Sequence, residues 1–142
     1  MPHSDEEAIQ RVISRYSQCA SRSDWDAVLK LFRRDAVWDI PHLGLKLEGI
    51  AAIEGALHSF FATMDYVLQI NSPALIEVTG ATATATSGIR ECGKTAGKDE
   101  GFEFLGIYED RLVRGEEGWQ FAQRTFRGLG THYFPLASGS AH

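Results

Sequence analysis

The fold is decided by Arg15-Tyr16-Ser17-Gln18-Cys19-Ala20-Ser21-Arg22-Ser23-Asp24-Trp25-Asp26 and by Leu31-Phe32-Arg33-Arg34-Asp35-Ala36-Val37-Trp38-Asp39-Ile40-Pro41. Tyr16 falls on the apolar face of a first helix, which Ser4 opens with a capping box. Ser23 is placed to cap a second, short helix. A β-prone stretch over residues 36–40 follows, and Pro41 ends it because proline has no backbone N–H to donate.

Beyond these stretches the sequence predicts one more helix and four strands. A loop over residues 42–48 leads to Gly49, where the third helix begins. Apolar residues then recur at every second position, which predicts strands at about 66–78, 81–92, 102–114 and 119–129. The order α-α-β-α-β-β-β-β predicts a single α+β domain over residues 1–142. In it a curved antiparallel sheet wraps around three helices from the N-terminal half, and residues 130–142 form a flexible tail.

Size and charge restrict the classes of partner. The chain has 142 residues, of which 44% are hydrophobic, and this suffices for one core. Its net charge of −5 leaves no basic surface for a phosphate backbone, so no nucleic-acid partner is expected. The start of the chain is acidic and no apolar run is long enough to cross a bilayer. The sequence therefore predicts a cytoplasmic protein with no membrane partner.

Four short motifs carry a family resemblance. They are Tyr16, Asp24-Trp25-Asp26, Asp35-Ala36-Val37-Trp38 and Gly106-Ile107-Tyr108-Glu109-Asp110, in this order along the chain. With them the chain resembles the SnoaL-like branch of the nuclear transport factor 2-like (NTF2-like) superfamily. That superfamily includes ketosteroid isomerases, scytalone dehydratases and limonene epoxide hydrolases. The resemblance implies a cone-shaped fold whose inward side chains line a cavity.

Helical and strand periodicity select the residues that we expect to line this cavity and bind a substrate. They are large apolar or aromatic residues with one histidine and one arginine: Trp38, Ile40, His58, Phe61, Met64, Phe104, Tyr108, Arg124 and Phe126. Such a lining suits a hydrophobic cyclic or aromatic small molecule, for example a polyketide or a steroid-like ligand.

Tyr16 and Asp39 are the candidate catalytic residues. Tyr16 matches the tyrosine with which ketosteroid isomerases donate a hydrogen bond to the substrate oxyanion. The position of the isomerases' proton-carrying carboxylate is occupied by Ile40, and Asp39 precedes it by one residue. A one-residue offset turns a strand side chain to the opposite face, so Asp39 reaches the cavity only if a bulge redirects it.

Two further catalytic patterns of the resembling enzymes are incomplete in this chain. Ser21 and Val67 replace the aspartate and the histidine of the scytalone-type dehydratases. Arg90, Asp110 and Arg124 could assemble a set similar to that of the epoxide hydrolases. Asp110 and Arg124 on adjacent strands equally suit a structural ion pair.

The sequence thus predicts a cofactor-independent isomerase or lyase that acts by isomerisation, dehydration or cyclisation through an enol-type intermediate. No nucleotide-binding or serine-hydrolase motif occurs and the histidines are scattered, so neither a cofactor nor a metal is expected. The alternative is a non-catalytic ligand-binding or dimerisation domain of the same fold. Leu105 and Ile107, on the second face of their strand, predict a homodimer joined through the outer face of the sheet.

Overall fold

The computed structural model describes residues 3–137, which contain three α-helices. Helix α1 spans Asp5–Ser21, α2 spans Trp25–Leu29 and α3 spans Ile50–Phe61. The hydroxyl of Ser4 accepts a hydrogen bond from the backbone N–H of Glu7 at 3.2 Å, as the capping box predicts. None of these helices is long and apolar enough to cross a membrane.

The sequence places the cap of α2 at Ser23, but the structure has it at Asp24. Asp24 Oδ1 accepts a hydrogen bond from the backbone N–H of Ala27 at 3.3 Å. Ser23 instead has a left-handed backbone with a φ of 58°. The tight turn out of α1 takes up Ser23, so the next residue with a side-chain oxygen becomes the cap.

Within residues 3–137, seven strands form one sheet. They are β1 Phe32–Ile40, β2 Leu45–Glu48, β3 Met64–Asn71, β4 Leu75–Thr79, β5 Thr82–Thr95, β6 Glu100–Gly115 and β7 Gly118–Pro135. The strand order is β2-β1-β7-β6-β5-β3, and β4 pairs with the remaining part of β5. With three helices this gives the predicted α+β class and approximately the predicted order of elements.

The expected loop and first long strand each differ from the sequence-based prediction. The expected loop over residues 42–48 contains a short 3-10 turn, Pro41–Leu43, and the strand β2. The strand expected over residues 66–78 is divided into β3 and β4, with Pro73 between them. Proline cannot donate to a strand ladder, and this explains the division.

The sheet is mixed, whereas the sequence predicts an antiparallel one. β1 runs parallel to β7, with Trp38 opposite Arg124 and Asp39 opposite Thr125. Every other pair of neighbouring strands is antiparallel. The parallel pair joins the first strand to the last one, and local periodicity contains no information on such a distant pairing.

Strand β7 also extends beyond its expected end. It continues through Pro135, and Phe134 pairs with Gly101 of β6. The first residues of the expected flexible tail are therefore ordered sheet, because β6 is long enough to pair with them. The part of the expected tail at 138–142 lies outside the described residues.

One face of the sheet, here called the inner face, packs against the helices. It carries buried residues such as Ala83, Leu112 and Phe121. Helix α1 covers this face with Ile9, Ile13 and Tyr16, all of which are fully buried. This packing closes one end of the inner face, and the other end remains open for a cavity.

Candidate functional site

A cavity of about 480 Å³ opens on the inner face, between the sheet and helices α1 and α3. This volume is in the range of small-molecule sites. Most of the residues selected from sequence line it, namely Tyr16, Trp38, Ile40, Phe61, Met64, Phe104, Tyr108 and Phe126. Residues 42, 43, 69, 91, 105 and 128–131 complete much of the wall.

Two glycines give the sheet side of the cavity its shape. A Cβ atom on Gly106 would lie 2.6 Å from the ring of Phe126, and one on Gly128 would lie 2.7 Å from the ring of His42. Because these glycines have no side chain, an aromatic ring lies directly on the strand backbone at each position. Ring centroids of His42 and Phe126 are 5.6 Å apart, so the two rings form one continuous patch of the wall.

His42 is held in this wall by a hydrogen bond. The backbone N–H of Gly128 donates to Nδ1 of His42 at 3.2 Å. The acceptor Nδ1 must then be unprotonated, which fixes the proton of the neutral ring on Nε2. The bond ties the turn Pro41–Leu43, where β1 ends, to strand β7.

The polar groups of the cavity include a pair that the sequence analysis missed, Gln69 and Glu91. They are opposite each other on β3 and β5, and Gln69 Nε2 donates to Glu91 Oε2 at 3.3 Å. The hydroxyl of Ser21 accepts a hydrogen bond from the backbone N–H of Gln69 at 2.8 Å, which ties the end of α1 to this strand.

Glu91 has an unusual environment for a carboxyl group. It is only 9% exposed and lines the cavity. Burial raises its pKa from the ordinary 4.5 to about 7, while Gln69 and the more distant Arg124 limit the rise. The group is therefore able to accept and release a proton near neutral pH.

A sequence signal for Glu91 existed in the alternation of β5. Residues 83, 85, 87, 89 and 91 are buried in turn, and Glu91 is the one charged member of this row. A charged side chain on the core-facing row of a strand is a candidate for function, because burying it costs free energy.

Tyr16 and Tyr108 stand together at the closed end of the cavity. Their ring centroids are 6.0 Å apart in an edge-to-face arrangement, and both side chains are almost fully buried. Burial raises the pKa of Tyr16 to about 12, against the lowering effect of the Arg124 guanidinium. Within the described part of the chain, the Tyr16 hydroxyl makes no hydrogen bond of good geometry, but the Tyr108 hydroxyl lies close enough to lower its pKa. It is consequently a protonated donor that a ligand could use.

Arg124 does not line the cavity and lies behind its aromatic wall. It is fully buried, and its Nε donates to Asp110 Oδ1 at 3.0 Å. Burial raises the pKa of Asp110 to about 6, and Arg124 limits this rise. The pair is the structural cross-strand ion pair that the sequence analysis left as an alternative. Arg90 does not join it, because its Nε pairs with Glu103 at 2.6 Å in an exposed position.

Asp39 and His58, both expected in the site, are not among the residues that line the cavity. Asp39 lies between the lining residues Trp38 and Ile40. It pairs with Lys46 of β2, and the register of β1 with β2 is regular there. The register shift in the pairing of β1 with β7 occurs before Val37, so no bulge turns Asp39 inward.

His58 lies on the outside of α3. It is exposed, and its ring centroid is 6.2 Å from that of Trp25. Within residues 3–137, no group of three or more His, Cys, Asp or Glu side chains is arranged to hold a metal ion.

Comparisons with known proteins agree with this architecture. A protein from Novosphingobium aromaticivorans, described as a candidate aromatic ring hydroxylase, has a TM-score of 0.84 and 26% identity over 94% of this chain and 96% of that chain. A candidate scytalone dehydratase from the same organism has a TM-score of 0.82 and 20% identity over 96% of this chain and 94% of its own. Hexachlorocyclohexane dehydrochlorinase LinA-type3 from Novosphingobium barchaimii has a TM-score of 0.77 and 16% identity, covering 93% and 90%.

The two lower identities show a shared fold alone. No curated protein matches the chain significantly. A family model for the SnoaL-like domain matches residues 2–125. Since this match spans nearly the whole chain, the protein belongs to the SnoaL-like domain family.

Proposed function

We propose that this protein is a cofactor-independent acid–base enzyme that moves a proton on a hydrophobic cyclic or aromatic ketone. The observation that carries the proposal is Glu91, a buried carboxyl group whose pKa is raised to about 7 in the wall of a largely apolar cavity. An acid–base catalyst works best when its pKa is near the working pH. Glu91 thus replaces Asp39 as the proposed general base.

The proposed chemistry divides between a base and a hydrogen-bond donor. The carboxylate of Glu91 removes a proton from the carbon next to the substrate carbonyl, and the electron pair moves onto the carbonyl oxygen. Tyr16 donates a hydrogen bond to that oxygen as the enolate forms. Such a donor in a water-poor site contributes about 3 kcal/mol to the transition state.

Three outcomes are open to the enolate. Glu91 returns the proton at another carbon in an isomerisation. In a dehydration it gives the proton to a hydroxyl group, which leaves as water while the electron pair of the enolate forms the new double bond. In a cyclisation the enolate carbon attacks a second carbonyl of the same molecule. The cavity favours an apolar ring system in each case, because aromatic residues such as Trp38, Phe104 and Phe126 line it. The dehydratase and dehydrochlorinase among the similar structures support proton removal as the common step.

The test is hydrogen exchange at carbon. α-Tetralone, a fused aromatic ketone, is incubated with the protein in deuterium oxide near neutral pH, and loss of the α-proton signal is followed by NMR. We expect catalysed exchange that Glu91→Gln lowers by about 10²- to 10⁴-fold, the usual contribution of a general base. Asp39→Asn is the matched control and should retain exchange.

Each result has a separate meaning. If Asp39→Asn abolishes exchange and Glu91→Gln does not, Asp39 is the base and the present assignment is wrong. If α-tetralone binds without exchange above the buffer rate, the ligand-binding alternative is favoured. The buried Trp38 Nε1, which has no hydrogen-bond partner in the described residues, would be available to such a ligand.

We also propose that the protein forms a homodimer through the outer face of the sheet, the face opposite the helices. Ile70 and Leu105 lie in one row across β3, β5 and β6, and Leu68 lies in the next row on the same face. Leu105 also borders the cavity. These three side chains are 48%, 41% and 53% exposed. An apolar group of this kind on a sheet face supports association with a second copy.

A further inference from the structure

We propose that Arg124 tunes the acid–base groups of the cavity from behind its aromatic wall, as a positioning residue that does not contact the substrate. This inference rests on the proposed function for its catalytic meaning, but its physical content can be measured on the protein alone. It assigns to Arg124 a different role from the substrate contact that sequence periodicity predicts.

The guanidinium group of Arg124 is stacked among aromatic rings. Its Cζ lies 3.5 Å from the ring centroid of Tyr108, 4.2 Å from that of Tyr16 and 4.4 Å from that of Phe121. Tyr16 and Tyr108 line the cavity, whereas Arg124 and Phe121 do not. The guanidinium cation therefore lies directly behind the two phenol rings that line the cavity.

The charge of Arg124 is only partly neutralised. One bond joins its Nε to Asp110 Oδ1, and both terminal nitrogens of Arg124 lack partners in the described part of the chain, as does Asp110 Oδ2. Arg124 has no exposed surface. Water does not screen the charge there, so it acts strongly on the phenol rings stacked against it and also on Glu91, whose pKa it lowers.

The direction of this effect is the same at Glu91, Tyr16 and Tyr108. A nearby cation favours the deprotonated form of an acid, and Arg124 lowers the pKa of Glu91, Tyr16 and Tyr108 against the larger raising effect of burial. Without the cation, a larger fraction of Glu91 would be protonated at neutral pH, and Glu91 would be a weaker source of carboxylate base. Together with the hydrogen bond from Gln69, Arg124 favours ionisation of this buried carboxyl group.

Other titratable groups around the cluster come from each packed element. Tyr16 belongs to α1, Tyr108 and Asp110 to β6, and His42 to the turn after β1 on the same cavity wall. On β5 itself, Cys92 follows Glu91 and carries a thiol whose pKa is raised by burial. Asp110 opposes the effect of Arg124, which makes it the natural partner for a controlled experiment.

The experiment is a direct titration of Glu91 by carbon-13 NMR of its side-chain carboxyl, with the Glu91→Gln spectrum used for assignment. The double variant Arg124→Met with Asp110→Asn removes both charges and retains similar volumes. We expect the midpoint of the Glu91 titration to rise by about one pH unit, equal to a tenfold change in proton affinity. A midpoint that agrees with that of the wild type in the folded double variant overturns the proposal.

Asp110→Asn alone is the matched variant, and it serves also if the double variant does not fold. It leaves the cation without its counter-charge, so the Glu91 midpoint should fall. An unchanged or higher midpoint contradicts the proposal.

A purely structural Arg124 would alter thermal stability in these variants without moving the midpoint. The titration requires no turnover, so it can succeed where the exchange of α-tetralone fails. The two proposals are thereby tested separately. If both hold, the pH at which exchange reaches half its maximum should follow the Glu91 midpoint in each variant.

Discussion

Glu91 places a carboxyl group where its charged form is poorly solvated, and this has a consequence for stability as well as for chemistry. Its pKa is about 7 in the folded protein and close to the ordinary 4.5 in the unfolded chain. The folded state therefore binds the proton more tightly. The stabilising contribution of protonated Glu91 is complete below pH 4.5 and is lost as the pH rises through about 7.

The variant Glu91→Gln removes this pH-dependent cost and should become more stable relative to the wild type as the pH rises. We expect the difference in free energy of unfolding to grow by on the order of 3 kcal/mol between acidic and mildly alkaline pH. Urea denaturation of both proteins across this range measures it. Asp110, whose pKa is also raised, is present in both proteins and cancels in the difference. A difference that does not change with pH would show that Glu91 is not held in a poorly solvating environment.

The variant Tyr16→Phe can show whether the Tyr16 hydroxyl contributes to activity or to stability. Its oxygen is buried and makes no hydrogen bond of good geometry in the described residues, with only the Tyr108 hydroxyl nearby, so Tyr16→Phe removes a poorly satisfied polar atom. Stability should be unchanged or should increase by about 1 kcal/mol. The exchange of α-tetralone should nevertheless fall about 10²- to 10³-fold, because the oxyanion loses its donor.

Thermal denaturation and the NMR exchange assay together check the Tyr16 prediction. A variant that loses stability and activity in parallel would indicate a packing role for the Tyr16 hydroxyl instead. Tyr108→Phe serves as the comparison, since Tyr108 lies in the same wall and against the same cation.

At the scale of elements, the contact of the His42 ring with Gly128 holds the turn after β1 against β7 and completes the cavity wall. Gly128→Ala would place a Cβ atom 2.7 Å from the His42 ring, which must then leave its position and its hydrogen bond. We expect the affinity for α-tetralone to fall about two- to tenfold, equivalent to one lost hydrogen bond. Titration calorimetry or NMR line shapes measure it.

Gly130→Ala is the matched control for that change. A Cβ atom there meets no atom within 4 Å, although Gly130 lines the same cavity on the same strand. Its affinity should equal that of the wild type. Equal losses in both variants would mean that added bulk on β7 acts in some way other than by displacing His42.

Elements that follow local periodicity were predictable, and those that depend on distant pairing were not. Alternation places Trp38 and Ile40 toward the cavity, and it equally places Asp39 away from it, so the doubt attached to Asp39 was already visible in the sequence. Glu91 has the same kind of signal on β5. Its raised pKa, however, depends on the packing of α1 and β3 around it, which no local pattern describes.

The same distinction explains the parallel strand pair. The pairing of β1 with β7 places Trp38 opposite Arg124, although the two residues are far apart in sequence. It thereby makes the first and the last strand of the sheet neighbours. Short-range spacing predicts that both strands exist. It contains no information on which edge of the sheet the first strand joins.

At the scale of the whole molecule, the two faces of the sheet differ in which residues they bury and which they expose. The inner face carries the cavity, and its charged residues Glu91, Asp110 and Arg124 are buried. The outer face carries exposed apolar side chains beside exposed ion pairs such as Arg90 with Glu103. A monomer gains nothing from apolar residues in that position, so a second copy of the same face is the partner that we propose.

This arrangement predicts the mass in solution. Sedimentation at micromolar concentration should give twice the 15.7 kDa of one chain. A stable dimer of this kind should bury at least roughly 1,200 Å² in total. Leu68→Lys and Ile70→Lys place charges on the outer face and should shift the protein toward the monomer, because two like charges would meet across a symmetric interface.

Leu129→Lys is the control, because Leu129 is 68% exposed and lies in the cavity wall, on β7 and away from Leu68 and Ile70 of β3. It should leave the sedimentation coefficient of the dimer unchanged. A wild-type protein that sediments as a monomer would refute the dimer. Dissociation by Leu129→Lys together with resistance of the outer-face variants would move the interface to the cavity mouth. In that event the second copy would cover the opening of the site, and affinity for α-tetralone would depend on protein concentration.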